Sequence, residues 1–553
     1  MMIFIIFTFL SLFSILGYGI LFANFTFKNS VNINIGLIGF FGFFFLTFIS
    51  YLTHFFVPHN YLHNSLIIFL GLFFFIYFLV NKKIKIQNIN FFILLILIIG
   101  IFIGKSHDDF PYYHLPNALH FTEQKLEFGL GNLNHGFKHH SSIFYLYSIF
   151  YLPFIQYYLF NVLNFFFLLF TVWYLFNEII CDLNEREIKK NFLIKLLFLI
   201  FIVSIFNRVG EYGTDITGQL LAAVIICLTL DTILKKNIDI NDFLKINIFL
   251  LYLITIKTYF IFYIFLPLIL FYFSDQKFLI IKKFFFSKII IFLTIYLSMF
   301  FLINISATGC IIYPVSKLCF PNFFYWGLPI KTVEYLSNWY EIWSKAGAGP
   351  DFRITDPLIY KQNFNWIQNW FDRYFFTKVS DFLSSIFIGL LIVCVFLKKN
   401  LNFQLNLFKK KLFLFFLFAL FVYWFLKFPS LRYGGYIIIL SIISIILSSL
   451  YDLKIVNQIK FKKKIFILVF LAFFIFFSKN LLRLNKEFNY NAINNFKSFP
   501  LFFVENVEYN KIFLNDEKAF IVKGMCWATP SPCIRSNNFR IQKKFGYKVY
   551  LKN

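Results

Sequence analysis

The sequence lacks the motifs of several common enzyme classes. It contains no glycine-rich phosphate loop, no nucleophile elbow and no HExxH pattern, so nucleotide hydrolysis and zinc proteolysis are not favoured. Charged residues are also scarce, at 14% of the chain, whereas hydrophobic residues make up 59% and the mean hydropathy is +0.73. Many apolar runs reach or approach the roughly 20 residues that span a bilayer as a helix. The composition therefore predicts an all-α polytopic membrane protein.

Acidic residues are half as numerous as basic ones, and the formal net charge is +26. In a soluble protein this excess would suggest a nucleic-acid partner, but here the basic residues lie in six short clusters between apolar runs. Positive charge in short loops marks the cytoplasmic side, so nucleic acid is not needed to explain it. The clusters are Lys82, Lys83 and Lys85; Arg186, Lys189 and Lys190; Lys235 and Lys236; Lys282, Lys283 and Lys288; Lys398, Lys399 and Lys409 to Lys411; and Lys460 with Lys462 to Lys464.

Fixing these loops inside predicts the topology of the rest of the chain. The apolar run 1–23 lacks a basic n-region and a small-residue cleavage site, so we expect a retained span there. We expect about 12–14 transmembrane helices in all, with 243–274 as two short helices or one broken helix. The predicted divisions are N-terminal helices (1–89), a core (90–306) with outer loop 105–140, an outer segment (307–382), C-terminal helices (383–480) and an outer tail with strands, a small α/β domain (481–553).

The outer loop 105–140 holds six of the nine histidines, together with the pair Asp108 and Asp109. A carboxylate beside imidazoles at a membrane surface can bind a divalent cation or take a proton from a hydroxyl group. We expect Asp109, Asp108 and His114 to be catalytic, with Asp109 also a metal ligand. The alternative is that the aspartate only caps the following helix, since Asp-Phe-Pro is a fair helix start.

Two further outer loops carry candidate partners. Glu211 and Asp215 could share a metal ion or a sugar with Asp109, although Asp215 could instead cap a helix. Arg432 at the outer end of a span could bind a phosphate, or could reach to lipid headgroups. Lys257, at the break in 243–274, is unusual at its depth and is a second candidate for phosphate binding.

The seven cysteines agree with this topology. Cys310 and Cys319 share the outer segment, and Cys526 and Cys533 share the tail, whereas the other three lie in or beside spans. Paired cysteines on the outer side are typical of an oxidising compartment, so we expect disulfides Cys310–Cys319 and Cys526–Cys533. The alternative is that they are small buried residues.

Five of the eight tryptophans also lie in the outer segment. Aromatic faces suit sugar rings, but tryptophan at a membrane interface is expected without any ligand. Both interpretations stay open for Trp326, Trp339, Trp343, Trp366 and Trp370.

Several local motifs together resemble a known family. Asp109 is followed by Tyr113 and His114, and further along come GLGNLNHGFKHHSS, EYGTDITGQ, GCIIYPVSKLCF, PSLRYGG and CWATPSPC. Over residues 105–535 the chain resembles a largely uncharacterised family of bacterial multi-spanning proteins related to the GT-C class of lipid-donor glycosyltransferases. Here three spans precede the motif loop, so the usual first-loop position requires an N-terminal addition.

The resemblance implies a GT-C-like fold and a catalytic or metal-binding acid at Asp109 or Asp108, with a second carboxylate at Asp215 or Glu211. It implies transfer of a sugar from a polyprenyl-phosphate donor to a cell-envelope acceptor, at the outer face of the bacterial cytoplasmic membrane. A divalent cation, Mg²⁺ or Mn²⁺, could be held by the carboxylates, and Arg432 and Lys257 would bind the phosphate. The alternatives are a transporter or flippase of lipid-linked saccharides, which should place ionisable residues along span interiors, and a polysaccharide polymerase.

Overall fold

The protein is mostly helical in its computed structural model, which describes residues 2–27, 33–81, 87–102, 107–185, 189, 191–235, 238–347, 357–403, 408–453, 457–490, 504–515, 517–536 and 538–552. Several members of the basic clusters, Lys82, Lys83, Lys85, Arg186, Lys190 and Lys236, lie outside these residues. The described α-helices are α1 (Met2–Thr26), α2 (Ile35–His54), α3 (Tyr61–Val80), α4 (Asn88–Leu97), α5 (Leu115–Glu123), α6 (Ser142–Ile149), α7 (Phe160–Asn184), α8 (Phe192–Ile205), α9 (Gly213–Leu234), α10 (Ile240–Ile256), α11 (Phe265–Phe273), α12 (Lys277–Phe285), α13 (Lys288–Thr308), α14 (Ile330–Lys345), α15 (Pro357–Lys361), α16 (Ile367–Trp370), α17 (Ser380–Leu397), α18 (Phe408–Lys427), α19 (Gly435–Leu450) and α20 (Gln458–Tyr490).

Eight helical runs among the described residues are long and apolar enough to cross a membrane. They are Met2–Thr26, Ile35–His54, Tyr61–Val80, Tyr157–Asn184, Gly213–Leu234, Lys288–Thr308, Ile367–Leu397 and Gln458–Lys486. Four shorter apolar helical runs accompany them: Asn88–Phe102, Phe192–Ile205, Thr258–Phe273 and Gly435–Leu450. The chain is therefore a multi-pass helical membrane protein, as the composition predicts. The run Ile367–Leu397 crosses the boundary expected at 382, because a π-helical stretch, Phe371–Val379, joins α16 to α17.

Glycines allow the first three helices to pack backbone to backbone. A Cβ atom added at Gly17 would lie 2.0 Å from the Gly71 carbonyl oxygen, and one added at Gly19 would lie 2.0 Å from the Ile38 carbonyl oxygen. Close approach through small residues is typical of helices that associate in lipid. α1 therefore contacts both α2 and α3, and α2 in turn packs on α7.

Ionic groups join helices α7, α8 and α9 at one end of the bundle. At this end the buried ammonium group of Lys195, near the start of α8, contacts Asp182 at 3.0 Å and Asp231 at 2.8 Å. These carboxylates lie in the last turns of α7 and α9, so α8 runs antiparallel to its two neighbours. The opposite end of the bundle, where α8 ends and α9 begins, holds the candidate site described below.

The C-terminal tail consists of strands in its described part. Strand β3 (Asn510–Leu514) pairs antiparallel with β4 (Glu517–Ile521), which pairs parallel with β5 (Cys533–Ile534), while β6 (Phe539–Lys544) and β7 (Tyr547–Lys552) form a hairpin. Two earlier strands, β1 (Leu401–Phe403) and β2 (Tyr451–Leu453), pair with each other. Within the described residues from 504 to 552 there is no helix, so the helical part of the expected α/β tail is the end of α20.

The tail packs on residues 107–140, called the histidine-rich loop below. The Trp527 amide donates to the Pro111 carbonyl oxygen at 3.0 Å, and the Tyr550 amide donates to the Phe128 carbonyl oxygen at 2.8 Å. The Ser531 amide donates to Glu123 Oε2 at 2.9 Å. Residues 107–140 and the tail therefore lie at the same end of the bundle.

Both cysteine pairs named in the sequence are joined in the structure. Cys310 is bonded to Cys319, and Cys526 is bonded to Cys533. Cys181, Cys227 and Cys394 are free. The Cys526–Cys533 bridge lies at the contact with the loop, since Asn134 Nδ2 donates to Cys526 Sγ at 3.3 Å.

We expect mass spectrometry of protein isolated without reductant to find two disulfide-linked peptide pairs, Cys310 with Cys319 and Cys526 with Cys533. The loops are short, so each bond should stabilise the fold by about 2 to 3 kcal/mol. Cys181, Cys227 and Cys394 serve as the internal control and should be recovered as thiols. Free thiols at the four paired positions would contradict this prediction.

Candidate functional site

The site begins with a break in a buried helix. α10 ends at Ile256, and Lys257 has extended backbone angles, φ −153° and ψ 119°, before the 3-10 turn Thr258–Ile264. The region 243–274 is therefore not one continuous helix, as the sequence predicts: α10 and α11 are joined by Lys257 and this turn. Because Lys257 leaves the helical path, its ammonium group reaches across to α9 and forms an ion pair with the Asp215 carboxylate.

Asp215 lies in the first turn of α9. The preceding Gly213 has φ +50° and lies against the His114 ring, where an added Cβ atom would be 2.7 Å from Cε1. Only glycine accommodates both this backbone angle and this contact without strain. Asp215 is not the cap residue of α9, because Tyr212 occupies that position. Its carboxylate, 8% exposed, is instead paired with two cations.

Arg432 joins two carboxylates that are distant in sequence. It lies in the 3-10 turn Leu431–Tyr433 between α18 and α19. Its Nε donates to Asp215 Oδ2 at 2.5 Å, and its Nη2 donates to Asp109 Oδ2 at 2.5 Å. The side chain of Gln219 on α9 donates to the Arg432 carbonyl oxygen at 3.1 Å, which fixes the turn against that helix. Arg432 is therefore engaged inside the protein, whatever its distance from lipid headgroups.

Asp109 immediately precedes the π-helical turn Phe110–His114, but its side chain makes no capping hydrogen bond. The structure therefore gives no support to the capping interpretation. The Asp109 amide donates to His107 Nδ1 at 3.0 Å. Burial and the nearby Arg432 charge lower the pKa of His107, so the neutral ring accepts this bond, and Arg432 is the cationic partner of Asp109.

The charges at the site set the protonation state of Asp109. Burial alone would raise the pKa of its carboxyl group, but the charge and the hydrogen bond of Arg432, together with the nearby His107 and His114, hold the pKa below its ordinary value. Asp109 is therefore ionised at neutral pH, and it is 27% exposed. The four linked side chains, two carboxylates with one guanidinium and one ammonium, are called the ionic cluster below: Asp109, Asp215, Arg432 and Lys257.

The other predicted catalytic and metal-binding residues lie beside this cluster. Asp108 is exposed at the surface. Glu211 contacts Arg208 at 3.4 Å and Arg483 at 3.5 Å rather than Asp109. His114 is buried, and burial lowers its pKa to about 3, so its ring is neutral at physiological pH. Its Nε2 has no hydrogen-bond partner among the described residues.

A cleft of about 190 Å³ opens beside the cluster. It includes Arg432 and Asp215, and Asp109 contacts two of its lining residues, Arg432 and His107. Its walls come from the histidine-rich loop, from the turn between α8 and α9, and from the start of α19. The lining residues are His107, His114, Ile205, Phe206, Arg208, Glu211, Tyr212, Gly213, Thr214, Asp215, Ile216, Arg432 and Tyr436.

The six histidines of the loop do not form one centre. His107 and His114 line the cleft, whereas His135 and His139 both contact the Tyr340 hydroxyl, at 3.2 and 2.9 Å. His120 bonds Ser531 and lies 3.0 Å from Glu127. In the described part of the chain, no three histidine, cysteine, aspartate or glutamate side chains are arranged to hold a metal ion.

Sequence reasoning missed the aromatic residues around the cations. The Arg432 guanidinium lies 5.3 Å from the ring centre of Trp343, and Lys257 Nζ lies 4.0 Å from that of Tyr433. Cation and ring attract each other most strongly where water is excluded. Tyr433 adjoins Arg432 in PSLRYGG and could have been flagged, whereas Trp343, 89 residues away, was named only as a candidate for sugar stacking or interface anchoring.

The fold and the site define a multi-pass helical membrane protein with an ionic cluster at one end of its bundle. The chain belongs to the family described as domain of unknown function DUF8201, whose sequence model matches residues 1–439. That match includes all four residues of the ionic cluster. No curated protein matches the chain. No solved structure matches it either.

We expect Asp215→Asn to destabilise the protein by up to about 3 to 5 kcal/mol, because it leaves two partly buried cations, each 23% exposed, without their shared carboxylate. Asp109→Asn should cost less, since that carboxylate is more exposed and contacts only one of the two cations. The midpoint of thermal unfolding in detergent measures both effects, with the exposed Asp108→Asn as control. Equal midpoints for Asp215→Asn and the wild type would show that the cluster does not hold these segments together.

Proposed function

We propose that the protein is a membrane glycosyltransferase. It moves a sugar from a polyprenyl-phosphate donor to a hydroxyl group of a cell-envelope acceptor, at the outer face of the bacterial cytoplasmic membrane. The proposal includes a GT-C-like arrangement of 12–14 spans. The observation that carries it is the ionised, partly exposed Asp109 held by Arg432 beside a cleft at one end of the bundle.

The proposed chemistry needs a base and a cation close together. The Asp109 carboxylate takes the proton of the acceptor hydroxyl as that oxygen bonds to the sugar C1 carbon. The bond from C1 to the donor phosphate oxygen breaks, and its electron pair leaves with the polyprenyl phosphate. Arg432 and Lys257 offset the negative charge that grows on this phosphate.

Because Arg432 contacts Asp109 and would also contact the donor phosphate, binding of the donor changes the basicity of Asp109. In the resting protein Arg432 lowers the pKa of Asp109, which makes Asp109 a weak base. When Arg432 turns toward the donor phosphate, Asp109 loses part of this stabilisation and its pKa rises. Binding of the donor therefore activates the base.

The arrangement of the carboxylates does not favour a divalent cation in this role. Asp109 and Asp215 are already paired with Arg432 and Lys257, and Glu211 is paired with Arg208 and Arg483. The proposed chemistry therefore needs no metal ion, and binding of Mg²⁺ or Mn²⁺ remains a prediction from the sequence.

A transporter should line its path with ionisable groups. The distribution of charged residues on α9 does not fit this alternative. Asp215 and Asp231 lie 16 residues apart on α9, which is about 24 Å along a helix. Between them α9 carries no charged residue. A polysaccharide polymerase would use the same outer-face chemistry and is the second candidate.

We expect Asp109→Asn to lower transfer by about 100-fold or more, because asparagine keeps the size of the side chain and removes the basic oxygen. Asp108→Asn is the matched control and should cost much less, since Asp108 is exposed outside the ionic cluster. The measurement is turnover with a polyprenyl-phosphate sugar at equal membrane abundance. Comparable turnover in Asp109→Asn and wild type would exclude Asp109 as the base.

We expect treatment with EDTA to change transfer by less than about twofold, because Arg432 and Lys257 supply the positive charge. The assay compares untreated, EDTA-treated and Mg²⁺- or Mn²⁺-restored protein. Loss of transfer that either metal restores would support the divalent-cation prediction and contradict a metal-free mechanism.

We expect cysteines introduced by Asp108→Cys and Arg540→Cys to react with a membrane-impermeant maleimide in intact cells. Both native residues are exposed, one in the loop and one in the tail, and the proposal places both outside. The wild type, with exposed Cys181 at the predicted inner end, is the control and should stay unlabelled. Labelling only after the cells are lysed would place the cluster at the cytoplasmic face.

A further inference from the structure

The exposed edge of the cleft, called its mouth below, carries cations that have no role in the proposed chemistry. Arg208 lines the cleft directly after α8, and its side chain is 61% exposed. Its guanidinium contacts Glu211 at 3.4 Å, and Glu211 also contacts Arg483. One carboxylate is thus shared between two arginines, and Arg208 is only partly neutralised.

Lys479 on α20 reaches the same turn. Its Nζ donates to the Ser204 carbonyl oxygen at 3.3 Å, and Asn207 Nδ2 donates to the same oxygen at 3.1 Å. Lys479 is therefore placed beside the residue that precedes Arg208. In the part of the chain that the structure describes, no carboxylate pairs with Lys479 within 4 Å, and its side chain is exposed.

The mouth differs from the ionic cluster in how far its positive charge is matched by carboxylates. In the cluster two cations face two carboxylates at contact distance. At the mouth Arg208 shares the Glu211 carboxylate with Arg483, and among the described residues Lys479 has no carboxylate partner within 4 Å. An incoming anion gains most where positive charge is not already matched, so it should dock at the mouth before it reaches Arg432.

An apolar surface continues from the mouth along α20. Toward the middle of the span, Ile475 is 38% exposed and Phe474 is 56% exposed, four and five residues before Lys479. In a membrane-spanning helix such side chains face lipid tails. A phosphate attached to a long hydrocarbon chain fits both surfaces, because its headgroup meets the cations while its chain lies along the helix.

We infer that Arg208 and Lys479 bind the phosphate of the prenyl-phosphate donor at the mouth of the cleft. This inference rests on the proposed function and names the headgroup contacts of its donor. Arg432, which lines the same cleft, then stabilises the negative charge that develops on the phosphate as the sugar leaves. Glu211 competes with the phosphate for Arg208.

The test is binding of farnesyl phosphate to the purified full-length protein in nanodiscs. We expect Arg208→Gln/Lys479→Gln to weaken binding by about 10-fold or more, since two charge-assisted contacts are lost. The control Arg540→Gln/Lys518→Gln removes the same charges from exposed tail positions and should bind like the wild type. Glu211→Gln should bind about 2- to 5-fold tighter, because it removes the competing carboxylate.

Farnesol, inorganic phosphate and nanodiscs rich in phosphatidylglycerol identify the source of the anion. Weak binding of farnesol and phosphate, with little competition from phosphatidylglycerol, supports a prenyl-phosphate site. Displacement of farnesyl phosphate by phosphatidylglycerol at equal concentration would overturn it in favour of a general anionic-lipid surface. Wild-type affinity in Arg208→Gln/Lys479→Gln, or weaker binding in Glu211→Gln, would overturn the assignment to this mouth.

These outcomes are separate from those of the proposed function. Asp109→Asn should bind farnesyl phosphate normally while losing transfer. If that variant kept full transfer, only the assignment of Asp109 as the base would fail. If the wild type bound farnesyl phosphate at this mouth but transferred no sugar from any polyprenyl-phosphate donor, the proposed function would fail and the binding site would stand. If Asp109→Asn lost transfer while Arg208→Gln/Lys479→Gln bound normally, only the binding inference would fail.

Discussion

The guanidinium group of Arg432 is the contact on which the candidate site depends. It joins Asp109 from the histidine-rich loop to Asp215 at the start of α9, and Asp215 in turn holds Lys257 at the break after α10. Four segments that are far apart in sequence are thus tied together by charge. Two carboxylates so close would repel each other without the cation between them, and the two partly buried cations would be costly without the carboxylates.

The position of this cluster follows from the apolar helices around it. At one end of α9, Asp231 pairs with Lys195 of α8, and at its other end Asp215 pairs with Arg432. The apolar part of α9 between Asp215 and Asp231 separates these two groups of ion pairs. The tail, which lies beyond the matched family region, packs over the histidine-rich loop at the Asp215 end. It thereby supports the turn that begins at Asp109.

Composition was sufficient to predict a multi-pass helical protein, because burial in lipid requires long apolar helices whatever their order. The residues of the ionic cluster could also be selected from sequence, since charge beside an apolar run is rare and costly. Their pairing could not be predicted. Arg432 was expected to bind phosphate and the carboxylates to bind a metal, whereas the fold places Arg432 between the carboxylates. Trp343 was named only as a candidate for sugar stacking or interface anchoring, and Arg208 and Lys479 were not selected, because only tertiary packing brings these residues to the cleft.

The measurement that tests the central claim most directly is transfer by the purified protein from a panel of radiolabelled polyprenyl-monophosphate sugars, with nucleotide sugars assayed in parallel. The account predicts a labelled product and released polyprenyl phosphate with at least one lipid donor, and no product from nucleotide sugars. Transfer from a nucleotide sugar without lipid would contradict it. So would movement of intact lipid donors across liposome membranes with no cleavage of the sugar–phosphate bond.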